Sequence, residues 1–199
     1  MSWTGLFANT PENVTLTEIR TALAEVRTEK RPPDEPDEPT ASEPADPAPT
    51  RVVADADVLA ADYCVDGTSR AVLDALYRHS WTTLVASDRL LDDAEAVIRA
   101  VGTRSLAETW RKQIETWREP VDHPAVDHPA IGSAYRGGAM HVLSFDDELT
   151  SSAAGRQLNN YVPISVRQPD AFQLLFDPES LYESEYSEAY PGPDRDPRR

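Results

Sequence analysis

Four aspartates, Asp55, Asp93, Asp127 and Asp146, are spaced so that an α/β chain would gather their carboxylates at one end of its sheet. Asp55 closes the apolar run Val52-Val53-Ala54, and Asp146 closes His141-Val142-Leu143-Ser144-Phe145. In an open parallel sheet, ligands bind beyond the carboxyl ends of the strands, at the point where the strand order reverses. Asp93 falls inside a helical pattern and Asp127 stands just ahead of another. Four acids meeting without a basic partner repel one another unless a divalent cation neutralises them. The pattern therefore points to metal-dependent chemistry. Carboxylates are hard oxygen ligands, which suits Mg²⁺ or Mn²⁺.

Other chemistries find less support. Cys64 is the only cysteine, so an intramolecular disulfide and a cysteine-rich zinc site are both excluded. The tandem Val121-Asp122-His123-Pro124-Ala125 and Val126-Asp127-His128-Pro129-Ala130 pairs histidine with aspartate, as a zinc or nickel site would, but reads more simply as a rigid, turn-rich loop. A phospho-acceptor receiver domain also clusters acids on a parallel α/β fold. It requires a lysine after a late strand, and neither Lys30 nor Lys112 is so placed.

The elements that must position the acids follow from periodicity. Strands are expected at 51–55, 82–86, 141–145 and 164–167, and helices at 57–64, 68–79, 87–100, 104–118, 129–136, 147–160 and 170–176. Ser87 is the N-cap of one helix, and Gly137-Gly138 stops another. Leu106, Trp110, Ile114 and Trp117 share a face and read as core rather than as a base-stacking platform. Alternating strands and helices imply a parallel sheet with helices on both sides.

Ahead of this unit, residues 1–30 carry an amphipathic helix over 12–30. Thr15 and Glu18 have capping-box spacing, and Leu16, Ile19, Leu23 and Val26 form one stripe. That stripe is expected to dock on the main domain, to pair with a second copy, or to bind another protein. Residues 31–50 read as a disordered linker rich in Pro, Asp and Glu, and 177–199 as an acidic, solvated tail. The chain has 199 residues and a formal charge of −16, with two lysines against seventeen arginines. This balance is that of a protein adapted to a cytoplasm with molar salt. There the screening length is only about 3 Å, so the charge does not exclude a nucleic-acid substrate. No run of about 18 apolar residues and no leader with a cleavage site is present, so neither a membrane span nor secretion is expected.

Several segments carry a resemblance. Val53-Ala54-Asp55-Ala56-Asp57-Val58-Leu59 resembles the opening of PIN-domain nucleases, where a strand ends in an aspartate followed by a small residue, a polar residue and two aliphatics. Ser87-Asp88-Arg89-Leu90-Leu91-Asp92-Asp93, with Val97-Ile98 after it, is similar to the second block of that family. Asp127 with Ala130, Ala134, Gly137, Gly138 and Ala139 is similar to the third, and Leu143-Ser144-Phe145-Asp146 with Leu149 to the fourth. Gln168-Pro169-Asp170-Ala171-Phe172 resembles the strand–Pro–helix ending. The resemblance covers roughly residues 51 to 176. Two departures stand out: Asp93 replaces the usual Glu, and Asp57 stands where Asn or Ser is common.

The resemblance implies a PIN-like three-layer α/β fold with a central parallel sheet of four to five strands, and a ribonuclease dependent on Mg²⁺ or Mn²⁺. Asp55 and Asp146 would be the principal metal ligands. Asp93 and Asp127 would act through water or orient the nucleophile, and Ser144 would position a water or a phosphate. RNA is the expected substrate, in a toxin–antitoxin pair or, as the long extensions favour, in RNA processing. Pairing of two copies through helices is compatible with the family. The alternative is a catalytically weak or inactive module that binds RNA or a protein partner.

Overall fold

The computed structural model describes residues 2–29, 43–123, 128–159 and 163–198. Five parallel strands form one sheet in the order β3-β2-β1-β4-β5: β1 Ala48–Ala54, β2 Thr83–Ser87, β3 Glu119–Val121, β4 Ala139–Leu143 and β5 Ser165–Arg167. The chain leaves β1 toward β2 and β3 and returns on the other side to β4 and β5. The order reverses between β1 and β4, so the crevice beyond their carboxyl ends is the ligand position this topology creates. The sheet is flanked by helices, giving the three-layer α/β architecture expected from the alternation of elements.

Ten helices occur among the described residues: α1 Trp3–Phe7, α2 Leu16–Glu29, α3 Ala56–Cys64, α4 Gly67–Tyr77, α5 Asp88–Val101, α6 Arg104–Ile114, α7 Pro129–Gly137, α8 Ser152–Asn159, α9 Pro169–Leu175 and α10 Pro178–Tyr186. Every residue of α3 is buried, because α2, α4, α5 and β1 enclose it. Two of its residues are acids, and burial obliges each to find partners. Asp57 takes backbone amides near the switch point, and Asp62 takes two arginines at the opposite end. On the other face α7 packs against β1, β2 and β4. Gly138 ends α7 in the left-handed conformation (φ 63°), and the carbonyl of Asp46 leaves no room for a side chain there.

The structure differs from the sequence reading in several places. β1 starts at Ala48, and the residues before it are fastened to α7: Ala45 N–H donates to Arg136 O at 3.0 Å and Ala48 N–H to Gly138 O at 2.8 Å. The linker expected over 31–50 therefore stops short of 43; its part over 31–42 lies outside the described residues. β3 was missed because its three residues include Pro120, which a sheet accommodates at an edge. α6 ends at Ile114, so Trp117 lies in the turn beyond it, and α8 is shorter than the helix expected over 147–160.

The segment from 177 onward is not simply a solvated tail. It contains α10, and it ends with the Arg198 side chain fully buried. Arg198 Nη1 and Nη2 donate to Asp62 at 2.9 and 2.8 Å, and Nε donates to Asp74 at 2.8 Å. Its guanidinium also lies 4.9 Å from the Trp3 ring centroid and 5.0 Å from that of Trp117. No helix among the described residues is long and apolar enough to cross a membrane.

Removing one partner of a buried ion cluster leaves uncompensated charge, so Arg198→Ala should cost about 3 kcal/mol or more, read as a lower urea midpoint. A second prediction concerns acid stability. His141 sits edge-on to Phe172 with ring centroids 5.5 Å apart, and burial, reinforced by Arg167, lowers its pKa from 6.5. The neutral ring favours the fold. Its stabilisation is present above the unfolded pKa and is lost as pH falls through the folded one. His141→Phe should therefore reduce the loss of stability as pH falls below the unfolded value of 6.5, measured by urea unfolding.

Candidate acidic centre at the switch point

The last hydrogen bonds of the sheet assemble this site. Asp55 N–H donates to Leu143 O at 2.8 Å and Ser144 N–H to Arg167 O at 3.0 Å, which sets Asp55 and Ser144 side by side just beyond β1 and β4. Both are fully buried. The Ser144 hydroxyl donates to Asp55 Oδ2 at 3.0 Å and accepts from the Asp146 amide at 3.1 Å. Asp55 also caps α3, its Oδ1 accepting from Ala56 N–H at 2.7 Å.

Asp93 reaches the same point from α5. It is buried, whereas Asp92 turns away to pair with Arg111 at 2.7 Å. A cation supplied by the chain itself stands between the two inner acids. Arg27, in the last turn of α2, donates from Nη2 to Asp55 Oδ1 at 2.7 Å and from Nε to Asp93 Oδ2 at 3.2 Å. The acids therefore do not meet without a basic partner, which corrects the premise from which their convergence was first argued. Arg27 Nη1 lies 2.8 Å from His128 Nε2. The other ring nitrogen, Nδ1, accepts from the Ala130 amide at 3.3 Å and so caps α7. His128 is 3.9 Å from Asp55 Oδ2.

The electrostatics follow from burial and this single guanidinium. Burial alone would raise the Asp55 carboxyl; the Arg27 guanidinium beside it outweighs this and holds the group below its usual value. Burial lowers the pKa of His128, which favours the neutral ring. Burial, with the neighbouring charge of Asp55, pushes Asp57 up to about 8, against two backbone amides, Val58 and Phe145, that donate to it at 2.7 and 3.0 Å.

Of the residues expected at the site, the structure brings Asp55, Asp93 and Ser144 together. Asp146 is half-buried, two residues beyond Ser144. Its Oδ1 accepts from the amides of Glu148 at 2.7 Å and Leu149 at 3.3 Å, while Asp146 and Asp57 line an open cleft with Arg20, Leu23, Arg27 and Asp147. Asp127 lies outside the described residues. Sequence reasoning missed Arg27. The signal was its position: Ile19, Leu23 and Arg27 recur every fourth residue, so the arginine continues the buried stripe of α2. His128 was noted in its repeat but not placed at this centre.

The donor set of carboxylates and a hydroxyl matches a hard divalent cation in chemistry. Among the described residues, however, no three acidic, histidine or cysteine side chains surround one point in a way that could hold a metal. Asp55 and Asp93 are instead bridged by the Arg27 guanidinium. Cys64 takes no part; burial, with Asp62 nearby, pushes its thiol up to about 12.

Residues 46–198 match the model of DUF7384, a family of unknown function, and the chain belongs to that family. No curated protein and no solved structure matches the chain. The matched segment contains Asp55, Asp93, Ser144 and Asp146, whereas Arg27 precedes it.

Ser144→Ala removes one donor from the buried Asp55 and one acceptor from the half-buried Asp146 amide. It should lower stability by about 1–2 kcal/mol, measured by denaturant unfolding, without altering the far-UV spectrum.

Proposed function

We propose that this protein is a metal-dependent ribonuclease of the PIN type that hydrolyses RNA phosphodiesters with Mg²⁺ or Mn²⁺. One observation carries the reading: at the carboxyl end of the sheet's switch point, two buried carboxylates from different elements, Asp55 and Asp93, converge on a single cation at 2.7 and 3.2 Å. The five sequence blocks that resemble those of PIN nucleases and the order of the parallel strands support it further.

Asp55 and Asp93 would hold the metal, which, when bound, neutralises phosphate charge and lowers the pKa of an attacking water. The protein's own contributions are positional. Ser144 fixes Asp55 through the 3.0 Å hydrogen bond, so the carboxylate keeps one orientation. Asp146 faces the open cleft, from which substrate would approach, and can orient a water there. His128, neutral and 3.9 Å from Asp55, can take a proton from a water bound beside that carboxylate once Arg27 no longer donates to it. Asp127 is proposed as a further acid of this set on the sequence resemblance alone.

A second reading has its own support. Arg27 already satisfies Asp55 and Asp93, as it would in a catalytically inactive module that binds RNA or a protein partner. Cleavage of a labelled single-stranded RNA at molar KCl, with excess Mn²⁺ or Mg²⁺, separates the two. The nuclease reading expects cleavage that EDTA stops and that Asp55→Asn abolishes while the domain stays folded. Full activity in Asp55→Asn would refute the site. A folded protein that neither binds Mn²⁺ nor cleaves under any of these conditions would favour the binding module.

A further inference from the structure

We propose that the surface between the ends of α3 and α4 recognises an extended peptide bearing tyrosine, aspartate and arginine at four-residue spacing. The chain's own residues 190–198 fill it in this structure. The surface lies at the opposite end of α3 from Asp55 and depends on no chemistry there.

Residues 187–198 form neither helix nor strand, and Pro193 to Asp196 are exposed. Three side chains hold the segment instead. The Tyr190 hydroxyl hydrogen-bonds to His79 Nε2, on a buried ring whose Nδ1 donates to Ala75 O at 2.7 Å. Asp194 accepts twice from Ser80, from its amide at 2.8 Å and from its hydroxyl. Arg198 enters a cage: Asp62 and Asp74 take its fork, and the Trp3, Phe7 and Trp117 ring centroids lie 4.9 to 5.4 Å from its guanidinium. The main chain adds one hold, where the amides of Asp194 and Arg195 share Arg78 O at 3.0 and 3.2 Å.

This is how a linear peptide is bound. Pockets for spaced side chains give the specificity, while the residues between them face solvent. The cage is built by the rest of the chain and not by its occupant: Asp62 also holds Arg70 Nε at 2.9 Å, and Asp74 belongs to α4. A cleft of about 370 Å³ remains beside the segment, lined by Val72, His79, Phe172, Phe176, Tyr190 and Pro193. The segment thus rests on α4 and α9 without being packed into the core. Charge selects the ligand. Two buried carboxylates require a cation, and aromatic faces around a planar fork favour guanidinium over ammonium.

The probe is a synthetic peptide of residues 187–198, and the acceptor is the full chain with Arg198→Ala. That variant vacates the cage and leaves Arg70 on Asp62. The peptide should bind it at a single site in calorimetry and raise its urea midpoint, as a ligand of the folded state does. Wild type should bind the peptide at least about 10-fold more weakly, because its own segment competes at an effective concentration in the millimolar range. The same peptide with Arg198→Lys should bind the variant at least about 10-fold more weakly than the native peptide. Should Arg198→Ala not fold, full-length Arg198→Lys, which keeps a cation in the cage, is the second acceptor. A folded acceptor that takes up no peptide at about millimolar concentration would overturn the site. Equal binding of the native and a scrambled peptide would overturn it as well, leaving the segment as packing tied to its place in the chain.

Discussion

Two carboxylates buried at the ends of parallel strands need a positive charge between them, and this fold is arranged around supplying one. Asp55 cannot move outward, because its amide is bonded to the sheet and its side chain both caps α3 and accepts from Ser144. Asp93 is fixed by the packing of α5 against α3. Desolvating such a pair without compensation is costly. A guanidinium meets the requirement better than an ammonium would, because its planar fork addresses two carboxylates and an imidazole in one geometry. The stripe of α2 places Arg27, and the buried Ile19 and Leu23 hold the stripe in place.

The same solution recurs at the opposite end of α3. Asp62 is as buried as Asp55, and it is met by Arg198 and by Arg70, whose Nε lies 2.9 Å from it. Arg70 in turn lies over the Phe7 ring, 3.3 Å from its centroid. Each extension of the chain thus supplies an arginine that satisfies an acid of α3 or its N-cap. Trp3, Trp117 and Tyr77 seal the second cluster with edge-to-face contacts of 5.3 to 6.1 Å. The segments before and after the α/β domain are therefore part of its charge balance.

What the sequence disclosed follows this physics. Asp55 was legible from a local rule, as the acid that closes a strand, and Asp93 and Ser144 from segments that resemble those of PIN nucleases. The capping box of α2 was legible too, and Thr15 N–H meets Glu18 Oε2 at 2.8 Å. Arg27 and Arg198 were not legible, because what fixes them is contact across 28 and 136 residues, and no periodicity encodes the partner of a long side chain. Composition misled in the same way. A stretch of Glu, Tyr, Asp and Pro reads as solvated, yet one arginine within it closes a buried cluster. Asp146 shows the opposite case: it was read as closing the strand, but β4 ends at Leu143 and its carboxylate is taken up by its own turn, at Glu148 and Leu149.

The fastening of residues 45–48 to α7 has a consequence for the register of β1. The strand is held at its start by the Ala48 amide on Gly138 and just past its finish by the Asp55 amide on Leu143. A one-residue slip would break both holds and turn every buried side chain of β1 to the opposite face of the sheet. The position of the Asp55 carboxylate is therefore set as much by the entry of the strand as by its exit.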